Sequence, residues 1–427
     1  MTDTQVKADV ELDHSNKEEV ATSGSASVIR QPENLFIDPI EQPTIVGPEK
    51  IRYDFNYGCR VALPPLSNGK KWKVRFTDTA TFNTIFEIES EGGTYRSTKT
   101  YYVPFRVECW KDEKLVFSHD LSLRDQSVQI QVPVGTLGDA IAWFPYVDLF
   151  QQKHQCKLFC VMSELVIPLF KKNYPNIQFI TTKEAALLQK DMYATYRLGL
   201  FFDDWNNTHQ PVDFRYVGLH KTAAHILDVE PIESPPRFDL EKIKRTIDEP
   251  YVCIAVQSST QSKYWNNPQG WYEIVKWLKE SGYRVLCIDK DAVWGHGHTW
   301  TSIPNGAEDE TGSKPLAERV ALLKYADFFI GLSSGLSWLS WATGTPTVMI
   351  SGFTHPNNEF QTPYRIFNHH TCNSCWNDPK QIFDHFDFMW CPRHKGTDRQ
   401  FECTRLITVD QVKAVIKKIP NLQRNLR

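Results

Sequence analysis

Apolar and polar positions change rhythm along this chain. Between residues 51 and 117 they alternate in short runs, as where Trp72, Val74 and Phe76 interleave with Lys73 and Arg75, or Val103, Phe105 and Val107 follow one another at every second place. A period of two sets one face of a strand against a core and the other in water. Gly92 and Gly93 supply a turn between such runs, so residues 49–126 are expected to form a small β-barrel or antiparallel sheet domain, suited to assembly or recognition. From Ser127 the period lengthens. A strand at 128–132 passes through a glycine-bearing turn into a helix, where Ile141, Trp143, Phe144, Val147 and Phe150 share a face. A strand at 158–162, a helix near 165–172 and a strand at 177–180 repeat the unit. Pro231, Pro235 and Pro236 mark a linker, after which strand 251–256, helix 270–280, strand 285–288, helix 316–325 and strand 328–330 restart the order. Strands alternating with helices predict parallel sheets with right-handed crossovers. Two doubly wound halves, 127–240 and 241–365, then leave a cleft at the carboxyl ends of their strands.

The uncharged run from 328 to 353 has the length of a membrane span, but four glycines and Pro346 interrupt it, so it reads as buried strand, turn, helix and strand. Residues 1–48 are polar with little periodicity and are expected to be flexible. A length of 427 residues allows two or three domains with real cores, and a formal charge of −3 excludes a broad nucleic-acid-binding face. Ten cysteines without an apolar leader or lipidation signal suggest free thiols in a reducing cytoplasm.

Four of those cysteines change the picture. Cys372, Cys375, Cys391 and Cys403 stand as C-x2-C-x15-C-x11-C within residues 366–406, and a two-residue knuckle joined by two later thiols makes a tetrahedral metal set of four sulfurs. The segment between them is rich in aromatics, His and turn residues and has little core of its own, so the metal is expected to fold it. Sulfur ligands suit zinc and iron alike, and a closed set is structural rather than catalytic. Residues 407–427 are expected to add a C-terminal helix.

Candidate chemistry gathers at strand ends. Asp139 follows Gly138 at a strand-to-helix turn, where it either caps the helix or stands at the mouth of the cleft. The polar loop 258–265 carries Lys263, a point charge suited to a diphosphate. Ser334, Gly335 and Leu336 open the helix after the strand at 328–330, where Gly335 lets an anion approach the amides. Together the two loops make a phosphate cradle. Asp289 ends a strand away from both loops, where a ribose contact is its natural role, and His296 and His298 read as a solvated glycine-rich loop.

In order, Gly138-Asp139, the Ser-rich loop with Lys263 and Trp265, and Ser334-Gly335-Leu336 ahead of Gly344-Thr345-Pro346 resemble the GT-B heptosyltransferases that use ADP-heptose. The cysteine finger and strand-rich front resemble the bacterial autotransporter heptosyltransferases, and the likeness runs over about residues 50–427. It implies an α/β GT-B fold of two Rossmann-like domains, acceptor-side and donor-binding, with an N-terminal all-β domain and a C-terminal four-cysteine metal finger. It implies Asp139 as the base of an inverting transfer to serine hydroxyls of an adhesin before export, with Thr136, Lys263, Ser334, Gly335 and Leu336 toward ADP-heptose. It further implies iron, as Fe3+, on the four cysteines, with zinc the alternative, and assembly into a dodecamer. Relatives that modify lipopolysaccharide carry Asp and His around the Gly-Leu motif where this chain has Ser334 and Trp338, which favours the protein-modifying branch. The competing readings are a transferase for a lipid-linked or oligosaccharide acceptor, and a non-enzymatic metal-stapled scaffold.

Overall fold

The computed structural model describes residues 36–67, 69–132, 136–241, 243–422, 424 and 426. Of the segment expected to be flexible, 1–35 lie outside the described residues, whereas 36–44 are tied by side-chain hydrogen bonds to the first α/β half.

The first half is built on parallel strands Ile177–Ile180, Lys157–Val161, Ser127–Gln131 and Ala194–Arg197, in that spatial order. Its sheet does not stop there. Arg52–Asn56 pairs parallel to Ala194–Arg197, and Arg60–Leu63 and Gly93–Arg96 continue antiparallel, so part of the strand-rich front extends the α/β sheet. The seam is polar and closed. Thr195 donates to Asn56 Oδ1 at 2.7 Å, and the buried Asp54 carboxylate accepts from Arg60 Nη2 at 2.6 Å and Asn56 Nδ2 at 2.8 Å. A buried ion pair is tolerated when its remaining lone pairs are used in this way. The other front strands, Thr84–Ser90, Trp72–Asp78, Phe105–Lys111 and Lys114–Asp120, form a separate four-stranded antiparallel sheet. There the period of two appears as burial: Trp72, Val74 and Phe76 point inward and Lys73 and Arg75 do not.

The second half is an all-parallel sheet in the order Glu308–Asp309, Arg284–Cys287, Tyr251–Ile254, Phe329–Leu332, Thr347–Ile350, Arg365–Ile366. Its central strands are buried on both faces, which explains their unbroken apolar runs. Helix Gly270–Glu280 turns Ile274, Val275, Trp277 and Leu278 inward and packs against the C-terminal helix Val409–Ile416, whose start is fixed by a Thr408/Gln411 capping box. The run from 328 to 353 resolves into strand Phe329–Leu332, helix Gly335–Ala342 and strand Thr347–Ile350. Among the described residues no helix is long and apolar enough to cross a membrane. His296 and His298 fall on a small hairpin, Val293–His296 with Thr299–Ser302, and both are exposed.

The halves meet through helices Leu137–His154 and Gly335–Ala342, which pack against one another at their amino ends. A Cβ on Gly138 would lie 3.0 Å from Trp338 and 3.4 Å from the Gly335 Cα, and one on Gly335 would lie 3.1 Å from the Gly138 nitrogen. Only paired glycines let two backbones come so close.

Candidate active site and metal centre

Helix Leu137–His154 has Thr136 at its N-cap, so Asp139 is not the cap; it is the third helical residue. There the carboxylate gains from the first-turn dipole and from the Thr136 hydroxyl. Enclosure pushes the Asp139 carboxyl above its ordinary value, a shift opposed by the Thr136 hydrogen bond and then by the charge of Lys263. Lys263 ends a short turn, Gln261–Lys263, that follows strand Tyr251–Ile254. Burial pulls its ammonium below the usual lysine range, while Asp139 and Glu359 pull the other way. The two opposite charges therefore come from different halves and meet in one crevice. Glu359 is buried, ion-paired to Arg365 at 2.9 Å, and accepts from Ser333 Oγ.

Helix Gly335–Ala342 begins beside Gly138, so its first free amides open where Asp139 and Thr136 stand. Ser334 occupies its N-cap, yet the hydroxyl makes no cap bond and is buried with no partner among the described residues. Uncapped amides, an unsatisfied hydroxyl and a lysine suit a ligand rich in acceptor oxygens. Leu336 is half-buried in the same first turn. Trp338, almost fully buried, closes the back of this corner against Phe360 at 5.0 Å and His220 at 5.7 Å.

Asp289 has no such freedom. Its oxygens accept from the Val256 amide at 2.7 Å and the Gln257 amide at 3.3 Å, and burial pushes its carboxyl up to about 6. It ties two strand ends together, Oδ2 through the Val256 amide and Oδ1 through the Gln257 amide.

Cys372, Cys375, Cys391 and Cys403 all line one small cavity, of about 10 Å³, with His394 and Glu402 at its edge. The thiols feel one another: burial and then Cys372 push the Cys375 thiol up to about 12. Ligand atoms of Cys372, His394 and Glu402 also lie within 4.8 Å of each other. Glu402, however, is already engaged, accepting from Arg399 at 2.7 Å and from the Cys372 amide at 2.8 Å, so it orients the knuckle from outside. The four cysteines thus share one cavity, while the ligand atoms that come within 4.8 Å of one another are those of Cys372, His394 and Glu402.

The finger also reaches the crevice, which the residue pattern did not announce. Trp376, next to Cys375, places its ring 5.4 Å from the Lys263 ammonium. His385 lies close enough that burial and then the Lys263 charge hold its imidazole below the usual range. The Phe388 carbonyl accepts from the Gln261 amide and the Thr260 hydroxyl, both at 2.9 Å, so the finger carries the loop that presents Lys263. The one available signal was the position of Trp376, since a knuckle residue aims its neighbour.

A family model described as glycosyltransferase TibC, N-terminal domain, matches residues 47–113, and one described as glycosyltransferase family 9 (heptosyltransferase) matches residues 191–382. The chain is similar to the autotransporter heptosyltransferase TibC of Escherichia coli O78:H11, 53% identical over 388 residues, which cover 90% of this chain and 93% of that protein. It is also similar to the crystal structure of dodecameric iron-containing heptosyltransferase TibC in complex with ADP-D-beta-D-heptose, with a TM-score of 0.86 over 90% of this chain and 99% of that one, at 53% identity. A relative from Burkholderia thailandensis, 42% identical over 389 residues covering 91% of this chain and 90% of its own, is the inactive autotransporter heptosyltransferase BimC.

Proposed function

The chain belongs to the autotransporter heptosyltransferases, a GT-B branch of glycosyltransferase family 9, and from that premise we propose that it transfers heptose from ADP-heptose to serine hydroxyls of an autotransporter adhesin, with inversion and with Asp139 as base. The observation that carries this reading is the Gly138–Gly335 approach, which sets Asp139 of one half against Lys263 and an uncapped helix start of the other. In this reading ADP lies with its diphosphate between Lys263 and the amides of Gly335 and Leu336, and the Ser334 and Thr136 hydroxyls donate to its oxygens. As the anomeric carbon gains positive character, Asp139 takes the serine proton and Lys263 balances the charge leaving on ADP. No divalent cation is needed for either task.

The four cysteines hold iron in this proposal, which closes all four coordination positions and supplies folding energy to the finger rather than chemistry. Elemental analysis tests it, and a visible absorption band separates iron on thiolates from colourless zinc. By likeness to the solved dodecamer the subunits assemble into a ring, and transfer takes place in the cytoplasm before the adhesin is exported. The decisive experiment incubates wild-type protein and Asp139→Ala with ADP-heptose and an adhesin fragment, and reads the fragment's mass. Heptose-sized increments are expected with wild type and not with the variant. Undiminished transfer by Asp139→Ala removes the base assignment, and increments that appear only on a lipid-linked or oligosaccharide acceptor replace the protein substrate.

A further inference from the structure

Two side chains of the finger stand at the crevice with polar atoms that nothing engages. Trp376 is braced by aromatic rings from both halves and from the finger itself: Phe202 and Phe214 of the first half at 5.4 and 6.0 Å, Phe353 of the second at 5.9 Å, and Phe383 of the finger at 5.0 Å. Its ring lies 5.4 Å from the Lys263 ammonium, yet its indole N–H is buried with no partner among the described residues. A buried donor carries its desolvation penalty until an acceptor meets it.

His385 is the second. Its ring meets Phe202 edge-on at 5.4 Å and Phe383 at 4.7 Å, and neither ring nitrogen has a hydrogen-bond partner among the described residues. Burial and then the charge of Lys263 hold its imidazole below the usual range, and Asp384 pulls the other way. A neutral imidazole offers one N–H and one lone pair, which is what a hydroxyl group can answer from both sides.

These groups differ in kind from their neighbours across the crevice. Lys263 and the amides of Gly335 and Leu336 match the charge of a diphosphate. Uncharged donors and acceptors set among flat aromatic faces match a sugar, whose C–H face rests on a ring while its hydroxyls both give and take hydrogen bonds. In a donor held through its diphosphate at Lys263, the sugar begins one oxygen beyond the β-phosphate, so it comes within reach of rings that stand beside that lysine.

We propose that the finger recognises the sugar of the donor, with Trp376 as platform and indole donor and His385 as a hydrogen-bonding partner of the sugar hydroxyls. The inference rests on the transferase reading above and adds a division of labour to it: the two halves hold the diphosphate and the base, and the finger selects what the diphosphate carries.

The test is calorimetry on the full, metal-loaded chain without acceptor, comparing ADP with ADP-heptose in wild type, His385→Phe and Trp376→Phe. Each substitution keeps an aromatic ring and removes the ring nitrogens. Expected in both variants is an ADP affinity equal to that of wild type and an ADP-heptose affinity about 10-fold weaker, the consequence of leaving a sugar hydroxyl unpaired. A purely packing role moves the two ligands together, so a loss of both by the same factor, or a change in neither, overturns the inference and leaves the transferase reading standing. Wild-type protein that binds neither ADP nor ADP-heptose removes the transferase reading, and the inference falls with it.

Discussion

Asp139 and Lys263 perturb one another across the crevice, and that gives the site a signature in its pH dependence. Enclosure raises the Asp139 carboxyl and Lys263 holds it down. A base works only when deprotonated, so kcat falls as pH drops through the raised value, above the ordinary carboxylate range of about 4. Removing the cation removes the opposing influence. In Lys263→Met the acid limb of kcat, measured at saturating ADP-heptose, is expected to move to higher pH, with kcat itself lower by about 10²–10³-fold for loss of a charge that meets the leaving group. A limb that stays put would mean the two groups do not share the reaction. That Asp139 and Lys263 each follow a core strand of their own half was legible from the sequence, because a helix-opening Gly138 and a polar loop come after apolar runs. That Asp139 sits within the first turn, with Thr136 as its cap, was not, since one residue of helix start lies below what periodicity resolves.

At the scale of elements, the approach of helices Leu137–His154 and Gly335–Ala342 depends on absent side chains. A Cβ on Gly335 meets Leu137 Cβ at 3.0 Å and the Gly138 nitrogen at 3.1 Å, and a backbone nitrogen cannot swing aside. Gly335→Ala is therefore expected to cost about 1–3 kcal/mol in denaturant unfolding. It should also lower kcat/KM, because the two helix starts must part. The cysteine finger behaves differently, since its small cluster of Phe353, Cys375 and Trp390 is too slight to stand alone. Cys375→Ser is expected to lose the metal and, by hydrogen exchange, the protection of residues 366–406, while the sheets of both halves keep theirs. Full metal content in that variant would overturn the four-sulfur set. The finger was readable as a candidate metal site because thiol spacing is local. The shared sheet was not: Ala194 opposite Phe55 is a pairing of distant segments, and alternation within Arg52–Asn56 says nothing about its partner.

The whole molecule depends on what the finger touches. From sequence it looks like an appendage, because its reach is made by backbone carbonyls and ring faces that no pattern displays. In the fold it joins both halves. Asn377 donates to the Arg215 carbonyl of the first half at 3.3 Å and to Asn358 of the second at 3.2 Å, and Asn266, three residues past Lys263, donates to Thr404 at 2.9 Å. With the Phe388 carbonyl holding Thr260 and Gln261, the loop that presents Lys263 is fastened to the finger at both ends. On the proposed reading the metal takes no part in the reaction but sets the donor's affinity through position, and its removal should weaken nucleotide binding while the sheets of both halves keep their fold. Chelated protein, compared with protein reloaded with iron, is expected to bind ADP at least about 10-fold more weakly by calorimetry, equivalent to about 1.4 kcal/mol, with its circular dichroism preserved. Lys263→Met should bind ADP with the same weak affinity whether or not metal is present, because the group that the finger positions is gone. If chelation weakens ADP binding equally in that variant, the finger supports the site by some route other than Lys263. If chelation leaves wild-type affinity unchanged, the fastening of the loop has no bearing on the donor.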